Sequence, residues 1–174
     1  MFRFSIVLLL LYSCWLSGSN AYAESEIPQK CKQATMVDSF LSGLQAEVPK
    51  QAVELWILGV KNRSGAVQFA TLSPTLQKKT KDQFEKKGWG TGQSSPWVDN
   101  VCFVKEEKMD NGKVRYTIEY DLITSNWKWN KKGQKMITVE KNPNQLFGHW
   151  YITEITTLYN EWEAFTPAET VIQR

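Results

Sequence analysis

The period of the apolar residues changes halfway along this chain of 174 residues, and that change constrains the fold more than any other feature. Before residue 88, apolar residues recur at helical spacing, as at Val53, Trp56 and Val60. From residue 97 onward they alternate with polar residues, most clearly over 114–123. Helices followed by a meander of antiparallel strands favour an α+β domain, in which the helices cover the apolar face of the sheet.

Capping residues and turn residues predict the bounds of the elements. Helices are expected over 36–48, 49–61, 65–72 and 74–87, with starts marked by Pro49, Ser64 and Ser73-Pro74 and a stop at Gly88. Strands are expected over 97–106, 114–123, 135–140 and 150–158, with a hairpin turn at Asp110-Asn111-Gly112. Residues 24–34 are expected to be loose, 35–158 to form the domain, and 159–174, which lack a period, to form a C-terminal tail.

Residues 1–23 predict export. Arg3 is their only charge, an apolar run follows over 4–11, and Ala21-Tyr22-Ala23 offers small residues for cleavage, which is the order of a secretory signal peptide. The run is shorter than the roughly 20 apolar residues that span a bilayer. We expect a secreted product that begins near Glu24. The alternative is a lipid anchor at Cys14, because residues 11–14 resemble a lipobox, although Tyr12 and Trp15 fit that pattern poorly.

Charge and cysteine content narrow the classes of partner. Beyond residue 23 the chain has 20 basic and 18 acidic residues, a net charge of +2, which argues against nucleic acid as the partner. Cys31 and Cys102 are the cysteines left after cleavage, and in an oxidising compartment they either pair or remain separate thiols, with Cys102 buried in a strand. Neither a metal-ligand cluster nor a cofactor-binding motif is present, so no metal and no cofactor are expected.

The strongest candidate for catalysis is the strand over 114–123, which carries two carboxylates and two tyrosines. Glu119 and Asp121 share one face, whereas Tyr116 and Tyr120 share the other, so the strand cannot present both types to one cavity. We expect the tyrosines in the core and the carboxylates in solvent. His149 is the sole histidine and has no identifiable partner, so no catalytic residue is predicted.

An aromatic and basic segment is the candidate binding surface. Trp127 and Trp129 alternate with Lys128 and are followed by Lys131 and Lys132. On an exposed hairpin, such a segment suits an anionic surface, either lipid headgroups in a peripheral contact or a wall polymer. The alternative is inward packing of both tryptophans beside an ordinary polar turn.

Four runs carry a resemblance to a known family: Val53-Glu54-Leu55-Trp56, the run from Val60 to Phe69, Leu72-Ser73-Pro74, and the run from Trp150 to Ile155. Over roughly residues 50–157 the chain resembles nuclear-transport-factor-2-like domains, and the Ser-Ser-Pro-Trp-Val run at 94–98 is similar to that of small exported proteins of Gram-positive bacteria. The resemblance implies a cone, in which a strongly curved antiparallel sheet folds around helices and encloses an apolar cavity.

The resemblance leaves function open, since the superfamily includes isomerases, dehydratases, transport adaptors and non-catalytic envelope domains. We expect a secreted, non-enzymatic binding or accessory domain at the bacterial cell envelope. Its partner would be a small ligand in the cavity, an envelope polymer or a protein, including a second copy bound through the outer sheet face. The rival expectation is a small cavity enzyme of the isomerase or dehydratase type.

Overall fold

The computed structural model of the chain describes residues 44–92, 95–126, 132–142, 148–158 and 164–172. These residues form three helices and a five-stranded mixed sheet, which confirms the predicted α+β class. The helices are α1 (Pro49–Lys61), α2 (Gly65–Ala70) and α3 (Pro74–Lys86), and the strands are β1 (Trp97–Lys108), β2 (Val114–Ile123), β3 (Gly133–Lys141), β4 (Trp150–Leu158) and β5 (Glu169–Ile172).

The helices begin where the capping residues predict. The Ser64 and Ser73 hydroxyls accept hydrogen bonds from the N–H groups of Val67 (3.3 Å) and Leu76 (3.4 Å), so each satisfies a donor that the first helical turn leaves free. Pro49 and Pro74 occupy the first turns of α1 and α3, where a missing N–H costs nothing. The predicted starts of all three helices are therefore confirmed.

The helix expected over 36–48 is wrong for the residues that the structure describes. Residues 36–43 lie outside the described ranges, and 44–48 are not helical. Ala46 instead forms a bridge to Trp150, whose N–H donates to the Ala46 carbonyl at 2.9 Å. Val48 is extended (φ −125°, ψ 151°), the geometry that the following Pro49 favours.

The sheet has the strand order β1-β2-β3-β4-β5. The first four strands are antiparallel, as predicted, and β2 and β4 have the predicted bounds. The turn between β1 and β2 contains Asn111 (φ 63°) and Gly112 (φ 74°), two residue types that tolerate this left-handed geometry.

The fifth strand corrects the expectation of a purely antiparallel sheet. β5 runs parallel to β4, pairing over Ile155–Leu158, so residues 164–172 belong to the fold and not to a tail beyond it. A strand of four residues spans two alternations, too few for its period to stand out in the sequence.

The outer edge of β4 is covered along its length by three segments. Ala46 pairs near its start, residues 71–73 pair with Ile152 through two backbone hydrogen bonds of 2.8 Å, and β5 pairs with its second half. The backbone groups of this edge thus find partners within the chain, and the helical half of the molecule is tied to the sheet.

The helices lie on one face of the sheet, which we call the inner face. α1 contacts β1 to β4, and Trp56 at its centre is 1% exposed. The inner face of β2 is buried throughout, as its alternation predicts, through Val114, Tyr116, Ile118, Tyr120 and Leu122. Burial of these side chains against the helices stabilises the fold.

Candidate functional site

Most of the predicted aromatic and basic surface lies outside the described residues. Trp127, Lys128, Trp129 and Lys131 fall in the undescribed segment 127–131, so their role stays a prediction. Lys132 is described, and its ammonium group forms an ion pair with Asp121 on the outer face of the sheet. This hydrogen bond raises the pKa of Lys132 above its usual value.

The two carboxylates of β2 lie opposite the tyrosines, as predicted, and they differ in burial. Glu119 is partly buried and accepts a hydrogen bond from Gln134 (3.3 Å). Asp121 is only 1% exposed, so the prediction of a solvated carboxylate is wrong there. The Asn100 amide donates to Asp121 at 2.8 Å, and this bond together with Lys132 offsets the burial of the charge.

Cys102 lies exposed on β1, so the alternative in which this residue is buried is wrong. Cys31 lies outside the described residues, and its pairing with Cys102 stays a prediction. His149 lies just before β4, where its backbone carbonyl accepts a hydrogen bond from the Asn142 N–H at 2.9 Å.

An ion pair beneath the helices is the most strongly built polar site in the described residues. Lys135 lies on the inner face of β3 with its side chain 1% exposed, and Glu169 of β5 has a side chain that is 0% exposed. Their charged groups are 2.5 Å apart, and the Lys135 ammonium also donates to the Thr157 hydroxyl at 2.8 Å. A charge this deeply buried is retained only when it is paired and hydrogen-bonded, and here it is.

Four donors converge on the carboxylate of Glu169. One oxygen accepts from the backbone N–H groups of Phe165 (2.7 Å) and Thr166 (2.9 Å). The other accepts from the ammonium group of Lys135 and from the hydroxyl of Thr157. We use the term carboxylate site for these four donors together with the space that they enclose. Two of the donors come from the sheet, and two come from the backbone just before β5.

Two aromatic rings flank the ammonium group of Lys135. It lies 4.3 Å from the centre of the Phe165 ring and 5.5 Å from that of Tyr120. The Tyr120 ring lies against Gly133, where an added β-carbon would be 2.2 Å from the ring. Glycine is therefore required here, because it lets the ring lie across β3 and face Lys135.

The space beside the carboxylate site is almost filled. The gap next to Lys135 has a volume of about 10 Å³, and it is lined by Trp56, Ile57, Val60, Val98, Val101, Ile118, Tyr120, Lys135 and Phe165. A volume of roughly 10–15 Å³ holds one water molecule, so no organic ligand fits in this conformation. Trp56 is one of these lining residues, and its buried indole N–H has no hydrogen-bond partner in the part of the chain that the structure describes.

A larger groove lies at the surface, between the start of α3 and the adjoining ends of β3 and β4. Its volume is about 360 Å³, and it is lined by Ser73, Pro74, Thr75, Leu76, Glu140, Lys141, Asn142, Tyr151 and Thr153. Pockets of roughly 300–1,000 Å³ are typical of small-molecule sites. Glu140 is paired with Lys113 at 3.0 Å, whereas no such pair is recorded for Lys141 within the described ranges.

Sequence reasoning missed Lys135, Glu169 and the groove. The sequence does carry a signal for Lys135. It lies two and four residues before Ile137 and Val139, and residues at this spacing in a strand share one face, so Lys135 is predicted on the buried face. Glu169 carries no such signal, since it comes to Lys135 from 34 residues away through β5. The groove is formed by three separate segments and leaves no local pattern.

Comparison of the chain with protein-family models, curated proteins and solved structures finds no match in any of the three. Among the helices of the described residues, none has the length and apolarity needed to cross a membrane. Within the same residues, His, Cys, Asp and Glu side chains form no group of three or more that could hold a metal ion.

Proposed function

We propose that the protein is an exported, non-enzymatic binding domain of the nuclear-transport-factor-2-like kind, acting at the bacterial cell envelope. Residues 1–23 support export, and the order of helices before strands supports the fold. The residues that carry the resemblance lie in α1, α2, the start of α3 and β4, which are the elements that join the helical layer to the sheet.

The observation that carries this proposal is the contrast between the filled interior and the open surface groove. The gap beneath the helices has a volume of about 10 Å³, whereas the groove has about 360 Å³. A binding domain with this interior takes its partner from outside, by the groove, by the aromatic and basic segment 127–132, or by both.

The groove suits a partner that is apolar in part and polar in part. Leu76, Pro74 and the Tyr151 ring offer apolar contact, whereas Thr75, Asn142 and Lys141 offer hydrogen bonds and one positive charge. Wall glycans and peptides present such mixed surfaces, and aromatic side chains contribute strongly to binding of this type. An anionic polymer or membrane surface suits the lysines of segment 127–132.

The rival function, a small cavity enzyme, is favoured by one observation: two ionisable groups lie beneath the helices beside Tyr120. Lys135 and Glu169 are, however, bonded to each other, and the gap beside them holds no substrate. A general acid or base must reach the proton that it transfers, so this pair supports the binding function over the enzymatic one.

The test is cosedimentation of the protein with purified bacterial wall sacculi and, separately, with phosphatidylglycerol vesicles. We expect binding to at least one, weakened several-fold by Tyr151→Ala or by the double change Trp127→Ala/Trp129→Ala. Leu58→Ala is the matched control, because Leu58 is 49% exposed on α1 and does not line the groove. Its binding should equal that of the unmodified protein.

Thermal stability of the same variants separates binding from folding. Unchanged melting temperatures with weakened binding support the proposal. Failure of the unmodified protein to bind sacculi or vesicles would contradict it, as would equal losses in all three variants. A large stability loss in Trp127→Ala/Trp129→Ala would show that these tryptophans are core residues, leaving the groove as the binding surface.

A further inference from the structure

We propose that Lys135 and Thr157 form a second binding site, one for a small apolar carboxylate, and that Glu169 occupies it as an internal ligand in this structure. Residues 164–172, which carry Glu169 and Phe165, then act as a displaceable strap. The inference does not depend on the surface groove or on its partner.

The first argument is the completeness of the carboxylate site. Both oxygens of Glu169 are bonded, by an ammonium group, a hydroxyl and two backbone N–H groups at 2.7 and 2.9 Å. Such a set recognises a carboxylate by charge and by the positions of its lone pairs. Two of its donors, Lys135 and Thr157, belong to the sheet and stay in place when the strap moves.

The second argument is that an ion pair is a poor way to hold the strap in place. The neighbours of Lys135 on the inner face of β3 are Ile137 and Val139, both 0% exposed. At such a position an apolar pair of similar volume is often as stabilising as an ion pair, because burial of two charges costs most of what their attraction returns. Attachment of the strap therefore does not by itself explain why charges are present.

The third argument is that displacement of one short segment would open the site. β5 has four residues, lies at the edge of the sheet, and pairs with β4 alone among the described strands. Phe165, in the same strap, forms one wall of the gap next to Lys135. Movement of the strap would remove both the Glu169 carboxylate and this ring. The space of the carboxylate site would then be continuous with the gap next to Lys135.

The enlarged space defines the class of ligand. Its walls are the remaining side chains around the gap, chiefly Trp56, Val60, Val98 and Tyr120, and its polar end is Lys135. The ligand class is a monocarboxylate with a short hydrocarbon body. Its carboxylate would take the place of the Glu169 carboxylate at Lys135, and its hydrocarbon body would take the place of the Phe165 ring against the apolar wall. One of these walls, Trp56, has a buried indole N–H that finds no hydrogen-bond partner among the described residues.

The experiment measures hydrogen exchange of the full chain in the presence of hexanoate or, as the neutral control of equal size, hexanamide. We expect hexanoate to speed amide exchange over 164–172 while the amides of α1 stay protected, because ligand and strap compete for Lys135. In Glu169→Gln the ligand no longer displaces a carboxylate, so its apparent affinity should rise about tenfold.

The matched control is the double variant Lys135→Met/Glu169→Leu, which replaces the ion pair by an apolar pair of similar volume and should not respond to hexanoate. Equal effects of hexanoate and hexanamide would overturn the proposal. So would an unchanged strap in the unmodified protein at every hexanoate concentration, or an undiminished response in the double variant. If Glu169→Gln fails to fold, the unmodified protein and the double variant still decide the question.

Discussion

Two lysine–carboxylate pairs lie on opposite faces of one sheet, and they differ mainly in the exposure of the lysine. On the inner face, the Lys135 side chain is 1% exposed and that of Glu169 is 0% exposed. On the outer face, the Asp121 side chain is equally buried at 1%, but that of Lys132 is 50% exposed. The same two chemical groups therefore interact with the lysine buried in one pair and half exposed to water in the other.

The difference shows which pair the fold depends on. The outer lysine is half exposed, so it is solvated by water when its carboxylate is removed, and no buried charge is left uncompensated. The inner lysine has no such alternative, because its surroundings are the rings of Tyr120 and Phe165 and the body of the sheet. Loss of one inner partner leaves a charge buried without compensation.

The largest expected effect follows from removing the inner lysine alone. Lys135→Met leaves the Glu169 carboxylate buried without a counter-charge, so the free energy of unfolding should fall by about 3–5 kcal/mol. Urea denaturation of the variant and of the unmodified protein measures this difference.

The double variant Lys135→Met/Glu169→Leu sharpens the test, because it removes both charges and preserves the volume. We expect it to recover most of the lost stability, which would show that the cost in the single variant comes from the uncompensated charge. A double variant as unstable as the single one would mean that β5 depends on the geometry of the ion pair.

A smaller loss is expected on the outer face. Asp121→Ala removes the acceptor for Asn100, and the freed Lys132 turns to solvent, so the free energy of unfolding should fall by about 1.5–3 kcal/mol. The same urea titration provides the measurement. A loss as large as that of Lys135→Met would break the comparison, since exposure of the lysine would then make no difference.

Local signals explain how much of the fold could be predicted from the sequence. A serine cap followed by proline starts α3, and the alternation over 114–122 both indicates β2 and separates its tyrosines from its carboxylates. These features depend on neighbours within a few residues. The prediction fails where a partner distant in the sequence determines the local structure. Residues 44–48 have helical spacing, yet Ala46 pairs with Trp150.

The carboxylate site lies beyond such local reasoning for the same physical reason. The spacing of Lys135 from the apolar residues of β3 indicates that it lies on the inner face, but the sequence does not show what compensates its charge. The partner comes from β5, a parallel strand of four residues whose position is set by the edge of β4. The outer pair escapes local reasoning for a different reason, because alternation correctly predicts Asp121 opposite the core, yet this carboxylate is buried there.

The smallest expected effect is a loss of stability in alkaline solution, carried by two groups outside the inner pair. The hydrogen bond to Asp121 raises the pKa of Lys132, so above about pH 10.5 the unfolded chain loses this proton first. Burial, and then Glu106, raises the pKa of Tyr116, so above about pH 10.0 its phenol ionises first in the unfolded chain. In both cases the folded protein binds more protons, so stability falls as the pH rises.

Two variants separate the contributions of the outer and inner faces of the sheet to this alkaline loss of stability. Asp121→Ala removes the partner that raises the pKa of Lys132, and Tyr116→Phe removes the phenol on the inner face, so each should flatten a different part of the curve of urea midpoint against pH. Absorbance of ionised tyrosine gives an independent measure for Tyr116, which should titrate after the exposed tyrosines. A curve that neither variant changes would show that other groups govern the alkaline loss, and the contrast between the two lysines would then rest on the substitutions at Lys135 and Asp121 alone.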